Sequence, residues 1–236
     1  LSIPLAFEDY DEVYAVLEKM RPKLEAQFEG KGFVVLNWAD GGWNSFFSKA
    51  PVTTPDDMKK LKLFSWAGDA KTTEVYKKMG FDPRPAPSTE LVTGLQTGLF
   101  EAFLSPPQVA MITRYYEHAK YMTDIKFQIL MGGTVIRKDV WEQIPADLRP
   151  QLLQAARTAG AKLQKSIRDE YRADVDAMRK AGLTVVPVDP RAHDTWHRFV
   201  ETAYPIVRGG AVPADAFDDA LRYRDEYRRL RGAGKK

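Results

Sequence analysis

The chain has 236 residues, is 44% hydrophobic, and carries 35 basic against 32 acidic residues, a net charge of +3. That suffices for one large domain or two small ones with a packed core, and the charge is too balanced to mark a nucleic-acid partner. The absence of cysteine excludes disulfides, thiolate zinc sites and cysteine nucleophiles, and no run approaches the roughly 18 apolar residues of a membrane span.

Ser2 to Phe7 is a short apolar segment around Pro4. Glu8 to Gln27 predicts a helix. Val13, Val16, Leu17, Met20 and Leu24 follow helical spacing, and Gly30 and Gly32 end it. Phe33 to Trp38 predicts a strand apolar enough to be covered on both faces. Asp40-Gly41-Gly42 breaks that pattern, and Trp43 to Phe47 resumes it. Thr54 caps a short helix with Pro55 at its first position. Leu61 to Trp66 is the next strand, and Ala70 to Met79 the next helix, closed by Gly80. Phe81 to Pro87 carries three prolines and is extended chain.

Leu91 to Pro107 is the most informative stretch. Ser88 is placed to cap a helix that Gly98 stops, and Leu99 to Leu104 is a short buried strand. In open α/β sheets ligands bind beyond the carboxyl ends of strands, which is where Ser105 falls. Gln108 to His118 predicts a helix, and Phe127 to Ile136 a strand interrupted at Gly132-Gly133, a place for a bulge or a close approach. Asp139 to Gln143 is a short helical turn. Leu148 to Ala181 predicts one very long helix; about 30 residues would extend about 45 Å. Such a helix either projects or lies across two lobes. Gly182 closes it, Thr184 to Val188 is a strand, and His193 to Tyr204 and Pro213 to Arg231 are helices. The basic run Arg222 to Lys236 reads as a solvated helix end and tail. Strands alternating with helices predict an α/β class with mostly parallel pairing.

Motifs for catalysis fail. His193 and His197 are four apart, but Asp194, Thr195 and Trp196 between them lack the zincin glutamate. No phosphate loop, dinucleotide fingerprint or nucleophile elbow occurs, so no metal, cofactor or enzyme activity is expected. Glu101 sits mid-strand and is expected to face the polar side or pair with a base. Trp38, Trp43, Phe46, Phe64, Trp66 and Phe103 gather at strand ends and the turns after them, with Asn37, Asn44, Ser65 and Ser105 as polar companions. That pattern suggests a cleft with apolar walls and a few fixing groups. The candidate ligand-binding residues are Trp38, Trp43, Asn44, Phe64, Ser65, Trp66, Ser105 and Phe127.

Three motifs in order resemble the solute receptors of TRAP (tripartite ATP-independent periplasmic) transporters, the dicarboxylate-receptor type. Thr54 to Leu63 (TPDDMKKLKL) is similar to that family's P-x-D-L-K-G-L-K-I-R segment. Glu90 to Phe100, with Leu95-Gln96-Thr97-Gly98, is similar to its E-x-x-x-A-L-Q-T-G-x-x-D-G. Tyr116 to Tyr121 matches its Y-E-x-x-K-Y. The resemblance implies a two-lobed α/β fold with a long helix packed along both lobes, a periplasmic location, a small organic acid held between the lobes, and delivery of it to a membrane permease. It implies residues 1–42 and 129–170 for the first lobe and 43–128 and 171–236 for the second. Leu1 to Phe7 resembles a segment inside the mature receptor, so the first lobe is expected to be incomplete.

The departures bear on the ligand. The family's carboxylate-binding arginine falls on Phe64, a second arginine on Asn44, and an asparagine that touches the solute on Ser105. An arginine pairs a carboxylate bidentately, and phenylalanine does not. A compact dicarboxylate is therefore disfavoured, and an acid with an apolar or aromatic body is expected. Lys126 is the candidate for a remaining positive charge. Rival readings are a ligand-sensing module for a receptor kinase and an α/β enzyme without recognisable motifs.

Overall fold

The computed structural model describes residues 1–233. Ile3, Leu5, Ala6 and Phe7 open it as a buried segment without regular structure. Helix α1 (Tyr10–Gly30) starts at Asp9, whose carboxylate accepts from the Glu12 amide at 2.9 Å. Strand β1 (Phe33–Ser48) is a single 16-residue strand. The expected break at Asp40-Gly41-Gly42 is instead a bulge, with register shifts between Val35 and Asn37 and between Asp40 and Trp43. Gly42 at φ 93° takes up the irregularity in a backbone region that side chains disfavour, so the strand bends and continues.

Helix α2 (Pro55–Met58) is a single turn, locked by the Asp57 carboxylate accepting from the Thr53 and Thr54 amides. Strand β2 (Lys62–Trp66), helix α3 (Ala70–Lys78) and strand β3 (Asp82–Ala86) follow. The proline-rich β3 lies at a sheet edge, where missing amides are tolerated. A 3-10 turn at Ser88–Glu90 precedes α4 (Leu91–Thr97), so Ser88 does not cap that helix, while Gly98 ends it at φ 77°. Strand β4 (Ala102–Ser105) leads into α5 (Pro107–Ile112). The helix expected to reach His118 stops early: Arg114 turns left-handed at φ 58°, and a 3-10 turn follows at Tyr115–Glu117.

Strand β5 (Tyr121–Thr123) has no counterpart in the sequence reading. Strand β6 (Gln128–Arg137) runs through Gly132-Gly133 without interruption. A Cβ on Gly133 would stand 3.3 Å from the Asn37 carbonyl, so the pair serves a close approach. Then come α6 (Lys138–Gln143), the 32-residue α7 (Arg149–Lys180), β7 (Thr184–Val186), α8 (Pro190–Val207) and α9 (Ala214–Ala233). The basic run is not only solvated. Arg228 grips Glu12, Arg231 pairs with Asp9 at 2.5 Å, and Lys23 of α1 reaches Asp219 at 2.7 Å, fastening α9 to α1. Lys235 and Lys236 lie outside the described residues.

The sheet order is β3-β2-β4-β1-β5-β7, with β6 on the first part of β1. Pairs β2–β3, β2–β4 and β5–β7 are parallel. The expectation of mostly parallel pairing fails at β1, which runs antiparallel to β4, β5 and β6. Alternation of strand and helix predicts parallel neighbours only while each strand re-enters in the same sense, and three strands return against β1. Residues Phe33–Asn44 of β1 pair with β6, while Ser45–Ser48 sit between β4 and β5.

Two hydrophobic clusters lie about this sheet. One joins Val13, Val16 and Met20 of α1 to Phe46, Leu63, Trp196 and Phe217. The other joins Phe47, Leu95, Phe100, Phe103 and Met178. Gly94 lies in the second. A Cβ there would come within 2.1 Å of the Phe100 ring, which is fully buried. Alanine usually stabilises a helix interior by about 1 kcal/mol over glycine. Here overpacking wins, and Gly94→Ala is expected to lower stability by about 1–3 kcal/mol. An unchanged urea midpoint would show that Phe100 yields at no cost.

Helix α7 is held to β1 by polar contacts. Gln164 donates to the Trp38 carbonyl at 3.2 Å, and Arg168 reaches Asp40 at 2.8 Å. The Asp40 side chain is fully buried and also accepts from the Tyr14 hydroxyl at 2.8 Å and the Gly42 amide at 3.2 Å. The Arg168 guanidinium lies 4.0 Å from the Tyr10 ring centre. Burial, then the nearby Asp40 charge, pushes the Tyr10 phenol up to about 12. Further along, Met178 anchors α7 in the second cluster.

Candidate ligand-binding site

A cavity of about 370 Å³ opens at the carboxyl ends of β2 and β4. Strand alternation decides which side chains reach it. On β2, Phe64 and Trp66 share one face; Phe64 is half-buried edge-on to Phe100 at 5.1 Å, and Trp66 is 58% exposed. Ser65 also lines the cavity, with its hydroxyl accepting from Thr73 at 3.0 Å. On β4, Ser105 is buried, and its hydroxyl donates to the Pro106 carbonyl at 3.0 Å. Phe103 stacks on Phe47 with ring centres 5.2 Å apart and meets Tyr115 edge-on. Asn44 comes from β1 just past its bulge and is buried, with its amide free of hydrogen bonds to other described residues.

Five of the eight predicted residues, Asn44, Phe64, Ser65, Trp66 and Ser105, thus line one cavity. The other three lie elsewhere. Trp43 precedes Asn44 and points to the opposite face, buried against Tyr10 at 5.7 Å. Trp38 donates its indole N–H to Glu25 at 3.1 Å and packs edge-on to Phe28, so it ties β1 to α1. Phe127 is fully buried between Phe46 and Trp196. Lys126 lies over the Trp43 ring at 5.7 Å and donates to the Glu8 carbonyl at 3.4 Å, away from the cavity. Glu101 accepts from the Lys62 amide at 3.1 Å and closes the start of the β2–β4 pair.

The sequence reading missed Asp69, Tyr76, Tyr115, Gln128 and Leu130, which also line the cavity. Gln128 is the neighbour of Phe127, and only the register of β6 on β1, Asn44 opposite Gln128, tells the two apart. Asp69 is occupied in capping α3, accepting from the Thr72 amide at 3.0 Å. Burial, then the Asp69 charge, pushes the Tyr76 phenol well above its ordinary range, so it stays a neutral donor. Among the described residues, the lining contains no lysine, arginine or histidine. Beside the Asp69 carboxylate, which caps α3, it offers neutral hydrogen-bonding groups and aromatic faces.

A larger hollow of about 760 Å³ runs along α7 between Pro150 and Lys162. One helix face alone forms it, without converging groups from other elements. Among the described residues no group of three or more His, Asp or Glu is placed to hold a metal. His193 and His197 stand 4.6 Å apart by ring centres; burial, then the neighbouring His193, lowers the His197 pKa. No helix among the described residues is long and apolar enough to cross a membrane.

The family model described as bacterial extracellular solute-binding protein, family 7, matches residues 1–208. The chain belongs to this family. The family 7 chain is 30% identical to the 2,3-diketo-L-gulonate-binding periplasmic protein of Escherichia coli K12, over 79% of its own length and 57% of the relative's. It is 26% identical to the C4-dicarboxylate-binding periplasmic protein of Rhodobacter capsulatus, covering 78% of the chain and 55% of that relative. The chain thus spans less than two thirds of the length of these relatives. Its fold is similar to a TRAP periplasmic solute-binding protein of Ralstonia eutropha H16, solved with bound (S)-2-acetolactate. The TM-score is 0.87 at 20% identity, over 95% of this chain and 73% of that one. Membership places the chain in a family of extracellular solute-binding proteins, and the likeness in fold is to a two-lobed α/β architecture.

Proposed function

We propose that this family 7 chain is a periplasmic receptor that holds a small organic acid with an apolar or aromatic body and delivers it to a TRAP-type membrane permease. The observation that carries this reading is the cavity of Asn44, Phe64, Trp66, Phe103, Ser105 and Gln128, aromatic and hydrogen-bonding but without a cation among the described residues. Phe64 and Asn44 stand where the resemblance expects arginines. A single carboxylate is held by neutral donors such as Asn44, Gln128 and the Tyr76 phenol. Two carboxylates exceed what this lining offers. The lobes divide as residues 1–42 with 129–170 and 43–128 with 171–236. The change of β1 partner near Trp43 supports that division, and α1, packed on α9, bridges it.

A thermal-shift screen of organic acids on the full chain tests this. Saturation at a hundred times Kd adds about 2.7 kcal/mol to stability. Monocarboxylates with an apolar or aromatic body are expected to raise the melting temperature more than succinate or malate. Stabilisation by succinate or malate alone would overturn the reading.

A further inference from the structure

Trp66 differs from the other large aromatics around the cavity. Phe47, Phe100 and Phe103 are buried in the second cluster, whereas Trp66 is 58% exposed at the end of β2 while lining the cavity. A single exposed apolar side chain is ordinary by itself; what sets Trp66 apart is that its exposed ring also lines the cavity.

The ring is not loose. Its Cζ2, Cε2 and Cη2 atoms lie 2.4, 2.6 and 2.6 Å from where a Cβ on Gly68 would be. The turn beneath is fixed by the Asp69 amide donating to the Trp66 carbonyl at 2.9 Å and the Ala67 amide donating to Ala86 at 3.0 Å. Gly68 has no positive φ, so the backbone does not demand glycine there. What demands it is the indole lying against the turn. One side of the ring is backed by chain, and the rest is presented outward at the cavity.

We infer that Trp66, seated on Gly68, is a stacking platform that selects ring-bearing organic acids within the receptor reading above, on which this rests. The ligand ring lies on the exposed indole face, and its carboxylate turns away toward Asn44 and Gln128. An indole face attracts a flat or C–H-rich ring face and offers nothing to a carboxylate. The other aromatic groups at the wall, Phe64, Tyr76, Phe103 and Tyr115, then close the sides rather than the face.

The test is calorimetric titration of the full chain with benzoate, pyroglutamate and D-galacturonate as ring acids, and succinate and 2-acetolactate as open-chain acids. At least one ring acid is expected to bind and to change indole fluorescence. Trp66→Ala should weaken that acid about tenfold or more, while Trp66→Phe stays within about threefold because a ring face remains. Gly68→Ala removes no ligand contact but displaces the indole, and should weaken the same acid. An open-chain acid, if bound at all, should be unaffected by all three. Trp66 is exposed, so the Trp66 variants should melt as the parent does. Unchanged ring-acid binding in Trp66→Ala and Gly68→Ala overturns the platform, as does equal weakening of both kinds of acid. Binding of 2-acetolactate alone sinks the platform and leaves the receptor reading standing, whereas binding of succinate alone sinks both. Binding of none of these acids sinks both.

Discussion

Trp196→Ala should lower the unfolding free energy by about 3–5 kcal/mol. Trp196 is the largest fully buried side chain. Its ring stacks on Phe46 at 5.4 Å and 23°, meets Phe127 edge-on at 5.9 Å, and contacts Phe199. Truncation removes those contacts and leaves a cavity between α8 and β1 that three rigid rings cannot collapse to fill. It also removes the indole N–H that donates to the Thr53 carbonyl at 2.8 Å, just before the capped turn of α2. Trp196→Phe separates the two effects. It keeps most of the bulk and should cost less, the remainder reflecting the unpaired carbonyl, about 1–3 kcal/mol. Urea unfolding followed by far-ultraviolet circular dichroism measures both. A loss below about 1 kcal/mol for alanine would contradict the packing described.

Arg168→Ala should cost about 3 kcal/mol, the lower end for breaking a buried ion pair, because Arg168 is itself 32% exposed. The loss falls on Asp40, whose side chain has no exposure. Without the guanidinium, Asp40 keeps the Tyr14 hydroxyl and the Gly42 amide but no countercharge. Asp40→Asn placed on Arg168→Ala should therefore restore part of the loss. Strict additivity in that double-mutant cycle would show that the two groups do not act as a pair.

The long helix was legible because its signals are local. Pro145 and Asp147 precede it, Gly182 follows it, and apolar residues recur between. The sheet was less so. Gly41-Gly42 reads as a break, yet a glycine free to reach φ 93° is also what lets one strand bend and go on. That bulge decides which of Trp43 and Asn44 faces the cavity, since one residue of register exchanges the two faces. The same ambiguity put Phe127 forward in place of Gln128. Strand β5, three residues long, carries too little pattern to be seen. Tyr76 and Asp69 reach the site from α3, a placement set by packing of that helix beside β2 rather than by any local motif.

The continuous β1 also shapes how the molecule must assemble. Its partners β4, β5 and β6 all come later in the chain, with β6 beyond four helices and four other strands. Antiparallel pairing at such separation requires loop closure before any hydrogen bond compensates for it. Until then Phe33-Val34-Val35-Leu36 is an uncharged, strand-forming run with both edges open. Pairing with β6 covers one edge of this segment, so the hazard is greater in the unfinished chain than in the finished one. Refolding at high concentration invites this segment to pair between molecules, and recovery from denaturant is governed by dilution as much as by the stability finally reached.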